Sequence, residues 1–291
     1  MVWGNLTSGE KHFEEEYVLS RAYVPEHIVS LMTIVSKAEP FLIRDCLCYA
    51  KNNWVIVIGY PLKGEFSLAT FKVLLREVIL KFEPEYVWMA APEIPEEYEK
   101  SSDDTEHDEY YRLEVNGFTV KERLMREVNK ASQKLTVEKT NNFTKEHKII
   151  INEFIKREKL SPRIKELYLS MPGYVAQSKT GMLLNVRDSK GLLSAFYIIE
   201  LAAREFVTYV VGCHSKKNYV PHASDLLFYE MVRVAQERRK SYINLGLGVN
   251  EGIRRFKEKW GGTPFLKYRF CEYHSGQKIG SGLIKSIESI L

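Results

Sequence analysis

No apolar run in this 291-residue chain reaches the ~18–20 residues that a membrane-spanning helix needs. The longest candidates are all broken by charges. The opening residues, MVWGNLTSGEKHFEEEY, are too acidic and too polar for a secretory signal, so the chain is expected to be cytoplasmic. Its four cysteines, Cys46, Cys48, Cys213 and Cys271, include no CxxC spacing and have no histidine pair at zinc-ligand spacing. They read as small buried hydrophobes, and no metal is implied. The net charge of +4 is too small to argue for nucleic acid on bulk electrostatics. A glycine-rich phosphate loop is missing after Tyr60, where Pro61-Leu62-Lys63-Gly64 is a bare turn. The remaining composition, 45% hydrophobic and 27% charged, is that of an ordinary soluble protein with room for one large or two modest cores.

What is present concentrates in Tyr242–Gly262, YINLGLGVNEGIRRFKEKWGG. A short strand runs into Gly246-Leu247-Gly248, where the backbone can turn without a side-chain clash. Asn250 is placed to cap a helix that Gly261-Gly262 ends. Ile253, Phe256 and Trp260 form the apolar stripe of that helix. Arg254, Arg255, Lys257 and Lys259 crowd its remaining surface, so the turn and helix can receive an anionic group.

Upstream, the pattern predicts a helix over His27–Val35 and strands over Phe41–Tyr49 and Trp54–Tyr60. An amphipathic helix carrying Phe71, Leu74, Leu75, Val78 and Phe82 follows, and then a strand at Tyr86–Ala90. The acidic run Glu93–Glu109 reads as a solvated connector or loop, with the domain seam in or just after it. Asn116-Gly117 signals a hairpin between Tyr110–Val115 and Phe118–Val120. Helices follow at Lys121–Gln133, from Thr144 to Lys156 and from Ser161-Pro162, with a strand at Lys134–Lys139. Gly181–Val186, Gly191–Leu201 and Glu205–Cys213 form an antiparallel meander. A long helix, Pro221–Arg239, precedes the Tyr242 strand, and Leu266–Tyr273 closes the series. The tail, with Leu283, Ile284, Ile287, Ile290 and Leu291, reads as an apolar helix that packs on its own chain or on a second subunit.

The end of this series resembles the last strand and helix of the GNAT acyltransferase superfamily, whose pattern there is Asn-x-x-Ala-x-x-Phe-Tyr-x-Lys-x-Gly. Asn250, Ile253, Phe256, Lys257, Lys259 and Gly261 stand at the same offsets. Lys257 occupies the position of the tyrosine that often reprotonates the leaving thiolate. Phe-Lys followed by Lys-x-Gly is closer to the FemABX-like branch and to the C-terminal domain of phosphatidylglycerol lysyltransferases. The resemblance implies an α+β fold of two tandem GNAT-like domains, each a mostly antiparallel mixed sheet flanked by helices. Residues 1–108 would form a domain without a donor site, and residues 109–291 the domain with the active site. It implies an N-acyltransferase using acyl-CoA (acetyl-CoA), or an aminoacyl-tRNA, as donor. The acceptor would be an amine on a small molecule, lipid or peptide, and peripheral membrane contact is compatible with this.

In such a domain the donor's anionic part lies at the start of the long helix. The usual Arg/Gln-x-x-Gly-x-Gly/Ala signature is replaced there by Ser215–Asp225. Lys216, Lys217, His222 and an N-cap-like Ser224 are the candidate donor-binding residues, with Gly246, Gly248, Asn250, Arg254 and Arg255, while Asp225 opposes an anion. Lys257 is the candidate oxyanion or phosphate holder, Asn244 a carbonyl donor and Tyr209 an acid or positioning group. His214 and His222 are possible bases, whereas Glu200 and Glu205 read as solvated turn residues. The competing class is a non-catalytic module that binds an anionic ligand or RNA on the same fold.

Overall fold

The computed structural model describes residues 15–158 and 160–275. In chain order, α1 (Val29–Ser36) precedes β1 (Glu39–Ile43), β2 (Cys46–Lys51), β3 (Trp54–Ile58), α2 (Leu68–Phe82) and β4 (Tyr86–Ala91). Next come β5 (Ser102–Glu114), α3 (Glu122–Ser132), β6 (Leu135–Thr140), α4 (Lys145–Arg157) and α5 (Pro162–Gln177). The series ends with β7 (Gly181–Asp188), β8 (Leu193–Glu200), β9 (Phe206–His214), α6 (Ala223–Glu237), β10 (Tyr242–Leu247), α7 (Glu251–Lys259) and β11 (Thr263–His274). Among the described residues, 15–36 and 109–265 form one unit and 37–108 with 266–275 the other. The units therefore differ from the segments 1–108 and 109–291. Residues 15–36 cluster with the later part of the chain because Ala22, Ile28 and Leu31 bury their side chains among Met171, Tyr174 and Phe206.

In the smaller unit the strand order is β1-β2-β3-β4-β11. All neighbours are antiparallel except β3 and β4, which run parallel and are joined through α2. Phe71, Leu74, Leu75 and Val78 of α2 are buried on one face, as their helical spacing requires. Each such burial contributes about 1.5–3 kcal/mol. The predicted strand Phe41–Tyr49 is instead a hairpin. Arg44 and Asp45 take positive φ (48° and 57°) in a tight turn, with no glycine to announce it. The acidic run is not a loop either, since much of it lies in β5, where Ser102 Oγ donates to Glu272 O at 2.7 Å. All four cysteines are buried and free.

The larger unit has the order β5-β10-β9-β8-β7-β6. Strands β7 to β9 form the expected meander, β6 pairs antiparallel with β7, and β9 and β10 run parallel across the α6 crossover. Strand β8 is buried throughout because both sheet faces are covered. Helices α3 and α6 cover one face, through Leu124, Val128, Leu227 and Met231. Helices α1, α4 and α5 cover the other, through Leu31, Ile150, Ile151 and Met171. Thr144 and His147 close a reciprocal capping box at the start of α4. The Asn116-Gly117 turn does not make a hairpin. Phe118 and Val120 pack on the core below α3, and β5 takes β10 as its partner. The predicted tail helix lies outside the described residues.

Candidate active site where two parallel strands part

Strands β9 and β10 are registered at Phe206↔Tyr242, Val207↔Ile243 and Thr208↔Asn244, and their pairing stops there. Both strands continue, β9 to His214 and β10 to Leu247. Each also carries an irregularity just beyond the last pair. In β10 the register against β5 shifts between Asn244 and Gly246. In β9 the partners of Ile198 and Ile199 are Val211 and Tyr209. Such bulges re-aim backbone and side chains. Beyond Thr208 and Asn244 the two parallel strands are thus no longer paired, on the side from which α6 departs.

Thr208 and Asn244, the last registered pair, are both buried. Asn244 Nδ2 donates to Tyr23 O at 3.2 Å, and its Oδ1 accepts from Gly246 N at 2.9 Å. The amide thus fixes the glycine turn, where Gly246 sits at φ +70°, rather than pointing a free donor at a substrate. Thr208 Oγ1 is buried without a hydrogen-bond partner among the described residues. An orphaned buried hydroxyl costs about 1–3 kcal/mol.

The chain that Asn244 holds leads to an acid which sequence reasoning missed. Tyr242 donates its hydroxyl to Tyr23 O at 3.5 Å, and Tyr23 N donates to Nδ1 of the buried His27 at 3.3 Å. Between them lies Glu26, whose Oε2 is shielded from solvent. Loss of hydration pushes its carboxyl above the ordinary glutamate range, while its own backbone amide, the Tyr110 side chain and the Arg163 guanidinium pull the other way. Tyr110 belongs to β5 and is registered with Leu247. Glu26 is therefore a desolvated carboxyl beside the open end of β10. The only hint in the sequence is Val-Pro-Glu-His, a proline-started turn carrying two titratable residues.

Lys257 is 4% exposed. Its ammonium donates to Leu247 O at 2.5 Å and to Gly246 O at 3.2 Å, and lies 5.5 Å from the centre of the Tyr111 ring. Its first task is thus to hold the glycine turn. The predicted stripe shifts accordingly, because Lys257 faces inward while Ile253 is 37% exposed. Trp260 is buried, as expected. Asn250 caps α7 by accepting from Ile253 N at 3.0 Å. Gly248 N donates to Glu109 O at 3.1 Å. Arg254 and Arg255 are exposed, and Arg255 pairs with Glu251 one turn earlier.

The start of α6 differs from expectation. His222, at φ +64°, is the N-cap residue, and Ser224 is the second residue of the helix. Asp225 occupies the first turn and is buried. It accepts from Trp260 Nε1 at 3.0 Å and lies 2.6 Å from the Lys259 ammonium and 3.2 Å from His222 Nδ1. Lys259 also reaches Glu127 at 3.1 Å. Glu127, His222 and Asp225 are close enough to share a metal ion, but the Lys259 ammonium already supplies two of them with a cation. Lys216 and Lys217 project outward, Lys217 being 87% exposed and 3.9 Å from Glu153.

Tyr209 packs edge-on against Tyr197, with ring centroids 4.9 Å apart. Gly212 makes this possible, since a Cβ there would lie 2.3 Å from the Tyr209 hydroxyl and 2.6 Å from the Tyr197 ring. Burial pushes the Tyr209 hydroxyl well above its ordinary pKa, which makes it a reluctant acid. Burial, followed by Arg157, lowers the pKa of His214. Glu200 is fully buried rather than solvated. It accepts from the Tyr174 hydroxyl, from Ser178 Oγ at 3.1 Å and from the amides of Leu201 and Ala202 at 2.7 Å.

The predicted residues thus divide. Asn244, Gly246, Gly248, Asn250 and Lys257 meet at the glycine turn. His222 and Ser224 stand at the start of α6, while Lys216, Lys217, Arg254 and Arg255 face solvent.

No protein-family model matches the sequence, and no curated protein matches it. Solved structures do. FemX is 12% identical with a TM-score of 0.62, over 98% of this chain and 100% of that one. L-PGS from Bacillus licheniformis is 17% identical with a TM-score of 0.55, over 88% and 90% of the two chains. A tandem GNAT protein from the clavulanic acid biosynthesis pathway is 8% identical with a TM-score of 0.55, over 93% and 97%. The chain has a mixed α+β fold, and its arrangement fits that of the tandem GNAT neighbour.

Proposed function

We propose that the protein is an acyltransferase of the FemABX-like type, moving an acyl or aminoacyl group from an activated ester or thioester to an amine. The observation that carries this reading is the parting of β9 and β10 after Thr208 and Asn244, beside a desolvated Glu26. A slot between parallel strands exposes backbone amides that a carbonyl oxygen can meet.

In the reaction the amine nitrogen attacks the donor carbonyl, and a C–N bond replaces the C–O or C–S bond. The amine's proton passes to the Glu26 carboxylate, and the leaving oxygen or sulfur takes a proton in return. Asn244 and Lys257 act as positioning residues. They lock the glycine turn so that the opening keeps its shape, and alignment of this kind supplies much of the rate in acyl transfer.

The start of α6 bears on the donor. An acyl-CoA would bring its pyrophosphate to this helix terminus, where Asp225 already occupies the first turn. That favours an aminoacyl-tRNA, and acyl-CoA is the second reading. Transfer of label from aminoacyl-tRNA or from acyl-CoA to a panel of amines tests both. A tRNA user loses binding steeply as salt is raised, whereas a CoA user changes little. Absence of transfer from either donor to any amine would leave the non-catalytic binding module.

A further inference from the structure

A second concave site lies in the larger unit, among residues assigned no role in acyl transfer. Its volume is about 610 Å³, within the range of pockets for small ligands. It is walled by the end of β6, the turn entering β7, Leu201 and the segment that leaves α6. Four cationic side chains line it, Lys139, Lys179, Arg238 and Lys240, and no carboxylate does.

The four cations are not equivalent. Lys139 is neutralised by Glu230 at 2.8 Å and Glu237 at 3.3 Å. Lys240 is held from three sides by main-chain oxygens, of Ala203 at 2.5 Å, Leu201 at 2.9 Å and Arg204 at 3.4 Å. Carbonyl oxygens fix its position without cancelling its charge. Desolvation lowers its pKa, and Arg238 lowers it further while Glu200 opposes. Lys179 and Arg238 form no ion pair with any described residue. Thr140, Asn141 and Thr180 add uncharged polar groups to the wall.

Gathering like charges around a concavity is unfavourable unless a ligand of opposite sign completes it. We infer that this pocket binds a small phosphate-bearing molecule, with Lys179 and Arg238 as the direct partners and Lys240 as a fixed background charge. Arginine suits a phosphate's oxygen pairs, and lysine adds a point charge.

Titration calorimetry on the full chain at low salt, with inorganic pyrophosphate and with ADP, tests the inference without any transfer assay. Binding of at least one probe is expected, weakened at least tenfold in a Lys179→Ala/Arg238→Ala variant. Both side chains are exposed, so the thermal midpoint of that variant should match the wild type. A Lys216→Ala/Lys217→Ala variant should keep the same affinity. The inference is overturned if neither probe binds. It is equally overturned if the pocket variant binds normally while the Lys216/Lys217 variant does not, which would place the anion at the start of α6. Neither result depends on whether the protein transfers an acyl group.

Discussion

Each unit contains a parallel strand pair joined through a helix, and the two pairs end differently. In the smaller unit β3 and β4 stay registered from Trp54↔Tyr86 to Ile58↔Ala90, and Gly59 N still donates to Ala90 O at 2.8 Å. A Cβ on Gly59 would lie 2.6 Å from both Ala91 Cβ and the Phe71 ring, so the space at the strand ends is filled. In the larger unit the pair lets go after Asn244. There a Cβ on Gly246 would meet nothing nearer than Tyr209 O at 4.0 Å, and the glycine is needed for its positive φ instead. One glycine seals a strand pair and the other bends a strand away. A repeated supersecondary unit can thus stay paired to its end in one place and part in another, decided by a few residues there.

The comparison can be broken most sharply at Glu26. Glu26→Gln should reduce transfer by about 10²–10⁴-fold, the usual contribution of a positioned base. In the wild type the rate should rise with pH through the raised Glu26 pKa, because the base must be ionised, and the variant should lose that limb. Stability should move oppositely. A carboxyl whose folded pKa is raised favours the folded state at low pH, and this contribution is lost as pH climbs from the ordinary glutamate range to the raised value. Chemical denaturation of wild type and variant across that window checks the sign.

A smaller effect is expected at Lys257. Lys257→Met removes the ammonium from two carbonyls while keeping bulk, and should cost about 1.5–3 kcal/mol in denaturant unfolding. Transfer should fall as well, because the glycine turn loosens. The glycines distinguish the two pairs directly. Gly59→Ala should destabilise by about 1–3 kcal/mol through overpacking, with transfer per folded molecule unchanged. Gly246→Ala should cost about 1–2 kcal/mol through its left-handed backbone and should reduce transfer. The smallest effect belongs to the exposed pair Lys216 and Lys217. Their joint replacement by alanine should alter stability by no more than about 0.5 kcal/mol, while flattening the salt dependence of tRNA binding if that is the donor.

Much of this architecture is legible from local pattern. The stripe of Phe71, Leu74, Leu75 and Val78, the meander of β7 to β9 and the Asn250 cap all follow from spacings within a few residues. What escapes is set at long range. The Asn116-Gly117 turn has the composition of a hairpin, yet β5 pairs with β10 because Phe118 and Val120 are drawn into the core. Lys257 belongs to the polar face by periodicity, but the carbonyls of Gly246 and Leu247 require a donor and bring it inside. Glu26 comes near β10 through long-range contacts, since Asn244 and Tyr242 hold the carbonyl of Tyr23, far away in the chain, and the Tyr110 side chain reaches Glu26.

The most direct test is amide NMR of the full chain titrated with acetyl-CoA and, separately, with aminoacyl-tRNA. One donor is expected to shift the signals of Thr208–His214 and Asn244–Asn250, while Gly59 and Ala90 stay in place. Shifts confined to the β3–β4 pair, or none in the β9–β10 opening with either donor, would contradict that expectation.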